Sequence, residues 1–376
     1  MQGDFEEEDE DDRVELPGGI DQLEALIEEH ERPDDNSKLV FERHSGSVFC
    51  CDLAGGAGLA VTGGEDDKAF VWRLEDGAVE QEVVGWGDSV TCAAWSKDGG
   101  MLALADLGGN LRVLRCPGYE KVWSFEVGDV LWMRWHPGAN VLFCGTADSQ
   151  MWMWKLPGGD SKVFTGPGER AECGQVVGEG RKAIVGYNNG SLGVFDLRTG
   201  DTLHTLKYGH RDGVNCVAGH PGREVALSGA MDGLVAVWNY STGKQVGTLM
   251  CGERQEENSE HSVECLALPE DRSTGLCVTG TLGGTVAVWD LSSQMTRTSL
   301  RVGQGVTALQ LGENTVYCGT LEGAVRSVDM RSGAAVAEYG GHRGSVLDMQ
   351  LDEARGLLLT AGDDGTSRVY DVRMPS

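Results

Sequence analysis

The chain has 376 residues, 40% of them hydrophobic, with 31 Lys and Arg against 59 Asp and Glu and a net charge of -28. That length and apolar content suffice for a substantial core, so the chain as a whole is not disordered. The charge argues against direct contact with nucleic acid or anionic membrane, whose phosphates are read by clustered Lys and Arg, and favours a basic protein partner. The eleven cysteines are scattered, odd in number and embedded in apolar runs such as Val48-Phe49-Cys50-Cys51, which reads as reduced core thiols. Met1-Gln2-Gly3-Asp4-Phe5-Glu6 has neither the basic flank nor the apolar run of a signal peptide, and no segment approaches the roughly 20 apolar residues of a membrane span. A cytoplasmic, soluble monomer is expected.

Residues 1–36 hold 16 Asp and Glu against Arg13 and Arg32, a net of -14, which is half of the charge in a tenth of the chain. Mutual repulsion and few apolar residues predict disorder over 1–15, within an acidic tail spanning 1–37. Within it Leu16, Ile20, Leu23, Leu26 and Ile27 fall at helical spacing before Pro33, giving a short helix near 20–31. The tail reads either as a solubilising segment or as an electrostatic lure for a basic partner.

After residue 38 the chain repeats. Strand-like runs end at Trp72, Leu114, Trp154, Phe195, Trp238, Trp289, Val328 and Tyr370, separated by 42, 40, 41, 43, 51, 39 and 42 residues. The long interval accommodates an insertion near 254–260. Each unit holds short Val-, Leu-, Ala- and Cys-rich runs broken by turns such as Lys97-Asp98-Gly99-Gly100 and Ser241-Thr242-Gly243-Lys244. Four short strands cannot bury both faces alone, so the units stack radially into a closed all-β propeller spanning 38–376. Eight blades are expected, with seven blades and an irregular segment as the alternative. Lys38-Leu39-Val40-Phe41 precedes the first unit as Thr205-Leu206-Lys207-Tyr208 precedes a later one, so residues 38–43 are expected to close the ring as the outer strand of the last blade.

The period resembles that of WD40 repeats. Three units carry a His, a Ser or Thr, an Asp and an aromatic at constant offsets: His44, Thr62, Asp66 and Trp72; His210, Ser228, Asp232 and Trp238; His342, Thr360, Asp364 and Tyr370. In WD40 blades such residues form a buried hydrogen-bonded tetrad that fixes the turn between the second and third strands; Tyr370 in place of Trp puts one link in question. The sixth unit keeps His261, Thr279 and Trp289 with Gly283 for the Asp, and the third keeps Asp148 and Trp154 with Glu126 at the His position. The string from Ala60 through Thr62-Gly63-Gly64-Glu65-Asp66-Asp67-Lys68 to Trp72-Arg73-Leu74 resembles the first blade of the angio-associated migratory cell protein family. Trp135-His136-Pro137, Gly145-Thr146-Ala147-Asp148, Trp152-Met153-Trp154-Lys155 and Ile184-Val185-Gly186-Tyr187 support the resemblance. It implies a cytoplasmic, non-enzymatic propeller. Fungal relatives escort a basic large-subunit ribosomal protein, and animal members are associated with cell migration and angiogenesis.

The repeat phase predicts one rim formed by the loops between blades and the loops between second and third strands. Glu65, Asp67, Asp106, Glu322 and Asp363 fall beside the tetrad Asp position, and Asp88, Asp129, Glu169, Asp212 and Glu264 near the His position, against Lys68, Arg170, Arg211 and Arg343. This rim is the expected partner-binding surface, with Trp86 and Trp132 read either as peptide anchors or as core. A solvated acidic surface without a partner is the bland alternative.

Catalytic signals are absent from the sequence. It has no Gly-x-Ser-x-Gly, no Gly-Lys-Ser/Thr phosphate loop and no His-Glu-x-x-His. Gly178-Glu179-Gly180-Arg181-Lys182 lies between strand-like runs and reads as a turn. Cys50 and Cys51 point to opposite faces of a strand and cannot ligate one metal together. His136-Pro137 and His220-Pro221 fit turns. No cofactor, no metal and no catalytic residue is expected. The competing functions are an escort for a basic ribosomal protein and a scaffold in migratory or cytoskeletal signalling.

Overall fold

The computed structural model describes residues 33–252 and 259–373; the helix expected near 20–31 lies outside them. Eight four-stranded antiparallel sheets follow one another along the chain, so the propeller has eight blades. Blade 1 is representative, with strands Val48–Ala54, Leu59–Gly64, Ala69–Arg73 and Val79–Val83 running from the central channel outwards. Blades 2 to 7 begin at Val90, Val130, Ala171, Val214, Val263 and Val306.

Burial explains the texture of the sequence. Second strands are covered on both faces by neighbouring blades, and Met101–Asp106 is buried at every position. Such strands read as unbroken apolar runs, not as alternation. Outer strands such as Val79–Val83 are mostly exposed and tolerate Glu80 and Glu82. Core clusters form between blades: Val61 and Val71 of blade 1 pack with Leu102, Leu104 and Leu114 of blade 2.

The turns use the chemistry their sequences suggest. Gly99 adopts φ 67°, and Asp98 Oδ1 accepts the N–H of Gly100 at 3.0 Å. Asn239 Oδ1 likewise accepts the N–H groups of Ser241 and Thr242 before Gly243 at φ 69°.

A bulge recurs where each innermost strand meets its second strand. The residue after it is Cys50, Cys92, Trp132, Cys173, Cys216, Cys265, Ala308 or Asp348. The bulge turns that side chain towards the next blade. Cys50 Sγ lies 3.7 Å from the carbonyl of Val90, and Cys173, Cys216 and Cys265 reach those of Val214, Val263 and Val306 at 3.8–3.9 Å. Trp132 Nε1 donates to Ala171 O at 3.0 Å. All eleven cysteines are free thiols, and burial raises the pKa of the Cys50, Cys173, Cys216 and Cys265 thiols.

The blade 8 sheet contains both ends of the propeller. Leu39–Phe41 pairs antiparallel with Ser367–Asp371, with Leu39 opposite Val369 and Phe41 opposite Ser367. Phe41 stacks on Trp72 of blade 1, ring centroids 4.5 Å apart and planes 6° from parallel. Residues preceding the strand also lie on the ring. Asp35 bridges to Gly340 and its carboxylate contacts Arg368, while Asn36 exchanges hydrogen bonds with Glu338 O and Gly340 N at 3.0 and 3.1 Å.

A cavity of about 610 Å³ occupies the channel, lined by innermost strands of blades 1 to 4 and 8. Two carboxylates in its wall clasp neighbouring blades. Asp52 accepts the N–H of Trp95 at 2.7 Å, and Asp348 that of Cys51 at 2.9 Å.

Candidate protein-binding rim

Three tetrad sites are assembled around the rim. In blade 1, His44 Nδ1 meets Asp66 Oδ1 at 2.9 Å, His44 Nε2 meets Thr62 Oγ1 at 3.0 Å, and Trp72 Nε1 donates to that hydroxyl at 3.3 Å. A neutral imidazole protonated on Nδ1 satisfies every member: indole donates to hydroxyl, hydroxyl to imidazole, imidazole to carboxylate. Burial, only partly opposed by Asp66, lowers the pKa of His44 and favours that neutral form. Blade 5 repeats the chain through His210, Asp232, Ser228 and Trp238 at 3.2, 2.7 and 3.0 Å.

In blade 8, His342 meets Asp364 at 3.0 Å and Thr360 at 2.7 Å, but the Tyr370 hydroxyl donates to Gly340 O at 3.1 Å. The chain therefore stops at Thr360. Burial opposes ionisation of Asp364, yet hydrogen bonds and charge from His342, with the Arg343 N–H and the Thr366 hydroxyl, hold its carboxyl far below the ordinary range. In blade 6, Trp289 still donates to Thr279 at 3.0 Å, and the Cys251 thiol approaches that hydroxyl at 3.7 Å.

The tetrad carboxylates also hold loop backbone. Asp66, Asp232 and Asp364 accept the N–H groups of Ser45, Arg211 and Arg343 at 3.1, 2.9 and 2.8 Å. Two residues expected at the contact surface do the same work. Asp106 is fully buried and accepts N–H groups from Gly87 and Asn110 and the Asn110 side-chain amide. Its removal from the contact surface corrects the expectation: with Trp86 in place of the His, this carboxylate fastens the turn. Glu322 is half-buried, accepts the Gln304 N–H at 2.9 Å and pairs with Arg326 at 3.2 Å.

Trp86 is a second correction. It is 8% exposed, donates to Val83 O at 3.2 Å and is covered by the Arg112 guanidinium 3.9 Å from its ring centroid. This indole is core and offers no anchor. Trp132 is half-buried against the channel wall.

Glu65, Asp67, Asp129, Glu169, Asp212 and Asp363 are exposed, and Asp88 and Glu264 are half-buried. Glu65 also accepts the Ser47 N–H at 3.1 Å, and Asp363 the Ser47 hydroxyl at 2.8 Å, so both are oriented by the loop entering blade 1. Among the nearby cations Lys68 pairs with Glu82 at 2.8 Å and Arg170 with Glu172 at 3.0 Å. The surface that remains is net acidic.

One ring of rim positions extends beyond those the repeat phase predicts: it includes Glu65 and Asp363 and adds six others. Directly after each second strand, one residue donates its N–H to the loop preceding the innermost strand of the same blade. The eight are Glu65, Leu107, Ala147, Asn188, Met231, Leu282, Leu321 and Asp363, at 2.8 to 3.1 Å. They form one ring around the channel mouth. The available signal was an apolar residue continuing a strand into its turn, in Ser228-Gly229-Ala230-Met231, Thr279-Gly280-Thr281-Leu282 and Cys318-Gly319-Thr320-Leu321.

Comparison with known proteins accords with this architecture. A WD domain, G-beta repeat model matches residues 36–73, and a β-propeller model described as nucleolar protein 10-like, N-terminal domain, matches 182–372. The chain is 40% identical over 373 residues to the human angio-associated migratory cell protein, covering 95% of this chain and 84% of that one. It is 23% identical over 405 residues to the ribosome assembly protein SQT1 of Saccharomyces cerevisiae, covering 96% and 93%. The crystal structure of S. cerevisiae Sqt1 superposes with a TM-score of 0.83 at 21% identity, covering 91% of this chain and 100% of that one. That of Chaetomium thermophilum Sqt1 bound to the N-terminus of ribosomal protein L10 does so with a TM-score of 0.81 at 20% identity, covering 90% and 100%. Eight blades on the WD40 period, three tetrad sites and this degree of identity make the chain a member of the angio-associated migratory cell protein family of WD40-repeat propellers.

Proposed function

We propose that this propeller is a non-enzymatic escort that holds a basic N-terminal segment of a large-subunit ribosomal protein on its acidic rim. The observation that carries the reading is the set of exposed carboxylates Glu65, Asp67, Asp129, Glu169, Asp212 and Asp363 on one surface of a rigid ring. An array of this kind attracts a Lys- and Arg-rich segment and speeds its capture, with screening over about 8 Å at physiological salt. A ribosome assembly protein among the relatives, and a structural neighbour bound to the N-terminus of ribosomal protein L10, support the ribosomal identity of the client. The reading includes a cytoplasmic monomer that uses no cofactor, inserts in no membrane and does not bind nucleic acid directly.

Calorimetric titration with the N-terminal peptide of ribosomal protein L10, at low and high salt, tests it. Wild type is expected to bind one peptide per chain with affinity falling as salt rises. A variant carrying Glu65→Lys, Asp88→Lys, Asp129→Lys and Asp363→Lys is expected to lose binding while keeping its unfolding midpoint. No binding by wild type sinks the proposal.

The 40% identity to the human migratory cell protein favours a second reading, a scaffold in migration or cytoskeletal signalling. Several partners bound without regard to salt or rim charge would support it.

A further inference from the structure

Of the eight ring positions at the channel mouth, consecutive blades 5, 6 and 7 carry Met231, Leu282 and Leu321, which are 51%, 37% and 42% exposed. Blades 8 and 1 continue the ring with Asp363 and Glu65, both exposed. Tyr208, on the loop entering blade 5, is 95% exposed. Blades 2 to 4 complete the ring with Leu107, which is 41% exposed, Ala147 and Asn188. The mouth therefore carries an apolar arc of three positions over blades 5 to 7 that meets an acidic arc between blades 7 and 8, with the single Leu107 on the far side of that acidic arc.

Single exposed apolar side chains are ordinary; three at one structural position in consecutive blades are a patterned feature of the ring. They are held there by backbone bonds, Met231 N–H to Gly213 O at 3.0 Å, Leu282 to Ser262 at 2.9 Å and Leu321 to Gly305 at 3.0 Å, so the arc is part of the rigid ring. Ser345 Oγ donates to Leu321 O and Ser47 Oγ to Asp363 Oδ1, tying each position to the next blade.

We propose that the channel mouth is a two-part docking surface for one extended peptide in which a block of apolar residues adjoins a block of Lys and Arg. The apolar block seats on Met231, Leu282 and Leu321, and the basic block lies over Asp363 and Glu65. Charge complementarity chooses the occupant: an acidic partner is repelled by the second arc, and a uniformly basic one leaves the first arc uncovered. The inference rests on the basic-client reading and adds to it. The acidic arc supplies salt-sensitive attraction, while the apolar arc supplies salt-insensitive affinity.

The test is calorimetry on the full chain with two probes, the L10 N-terminal peptide and a synthetic peptide with a Leu/Phe block followed by an Arg/Lys block. Two variants are compared with wild type: Met231→Gln with Leu282→Gln and Leu321→Gln, and Glu65→Lys with Asp363→Lys. The substituted side chains are exposed or half-exposed, and an unchanged unfolding midpoint checks the fold. The apolar-arc variant is expected to bind the block probe at least about tenfold more weakly, with its salt dependence intact and a smaller heat-capacity change. The charge variant is expected to lose salt dependence instead. Binding of the block probe by the apolar-arc variant within about twofold of wild type overturns the proposal. If that happens while wild type binds the L10 peptide, the escort reading stands alone. If wild type ignores the L10 peptide yet binds the block probe through the arc, the arc stands and the ribosomal reading falls. If neither probe binds, both fall.

Discussion

Asp348, in the innermost strand of blade 8, accepts the backbone N–H of Cys51 in blade 1 at 2.9 Å. The seam where the two ends of the chain meet is thus fastened at the channel as well as at the periphery, where Leu39–Phe41 pairs with Ser367–Asp371. Innermost strands of adjacent blades do not share a sheet, so side-chain acceptors and thiols make the link.

Phe41 joins the periphery of that seam to blade 1. It is 2% exposed and stacked on Trp72, so Phe41→Ala is expected to destabilise the ring by about 3 kcal/mol. Urea unfolding should show a lower midpoint for the whole cooperative transition. Hydrogen exchange accelerated only at residues 39–41 would contradict this.

The tetrads differ in what their central hydroxyl holds. Thr62 serves both His44 and Trp72, whereas Thr360 serves His342 and not Tyr370. Thr62→Val leaves two buried groups without a partner and is expected to cost about 2–4 kcal/mol; Thr360→Val is expected to cost about half of that. Equal losses in urea unfolding would refute the distinction.

Asp106 separates turn maintenance from client contact. Asp106→Ala removes the acceptor for Gly87, Asn110 and its amide, so a loss of about 2–3 kcal/mol is expected in urea unfolding. Peptide affinity measured well below the unfolding midpoint should stay at the wild-type value. A loss of affinity without a loss of stability would return this residue to the contact surface.

The channel carboxylates give a pH dependence of defined sign. Burial pushes Asp52 up to about 7 and Asp348 up to about 6, against the opposing backbone hydrogen bonds from Trp95 and Leu53 and from Cys51 and Met349. In the unfolded chain both ionise near 4, roughly the free-aspartate value. Between those limits the unfolded chain has released protons that the folded ring still holds. Their stabilising contribution is therefore complete below about pH 4 and lost as pH rises through about 6 to 7. Asp52→Asn removes one of these titrations, so wild type should lose stability relative to the variant between about pH 4.5 and 7.5. A constant difference in urea midpoint across that window would refute the assignment.

Eight blades were legible because four strands and their turns consume a nearly constant length of chain. The fixed offsets of His44, Thr62 and Asp66 mark groups that meet across adjacent strands, and the hydrogen bonds join them. Asp106 as a contact residue and the anchor reading of Trp86 failed together. Once an indole replaces the imidazole, the nearby carboxylate turns inward to the loop backbone, and the cover over Trp86 comes from Arg112, far along the chain. Met231, Leu282 and Leu321 escaped notice because each follows an apolar strand, and only the backbone bond to the neighbouring loop marks it as belonging to the turn.

Pairing Leu39–Phe41 with Ser367–Asp371 makes the first propeller strand the last to find its neighbour. During synthesis it leaves the ribosome before any blade exists and stays a bare edge until Ser367–Asp371 has followed, because no earlier segment presents its partner. Seven blades can form in order as they emerge, but the eighth is completed only after Ser367–Asp371 has left the ribosome. A polypeptide stalled or cut short within its final blade would carry an open ring with exposed strand edges at both ends of the gap, and that gap marks it as unfinished.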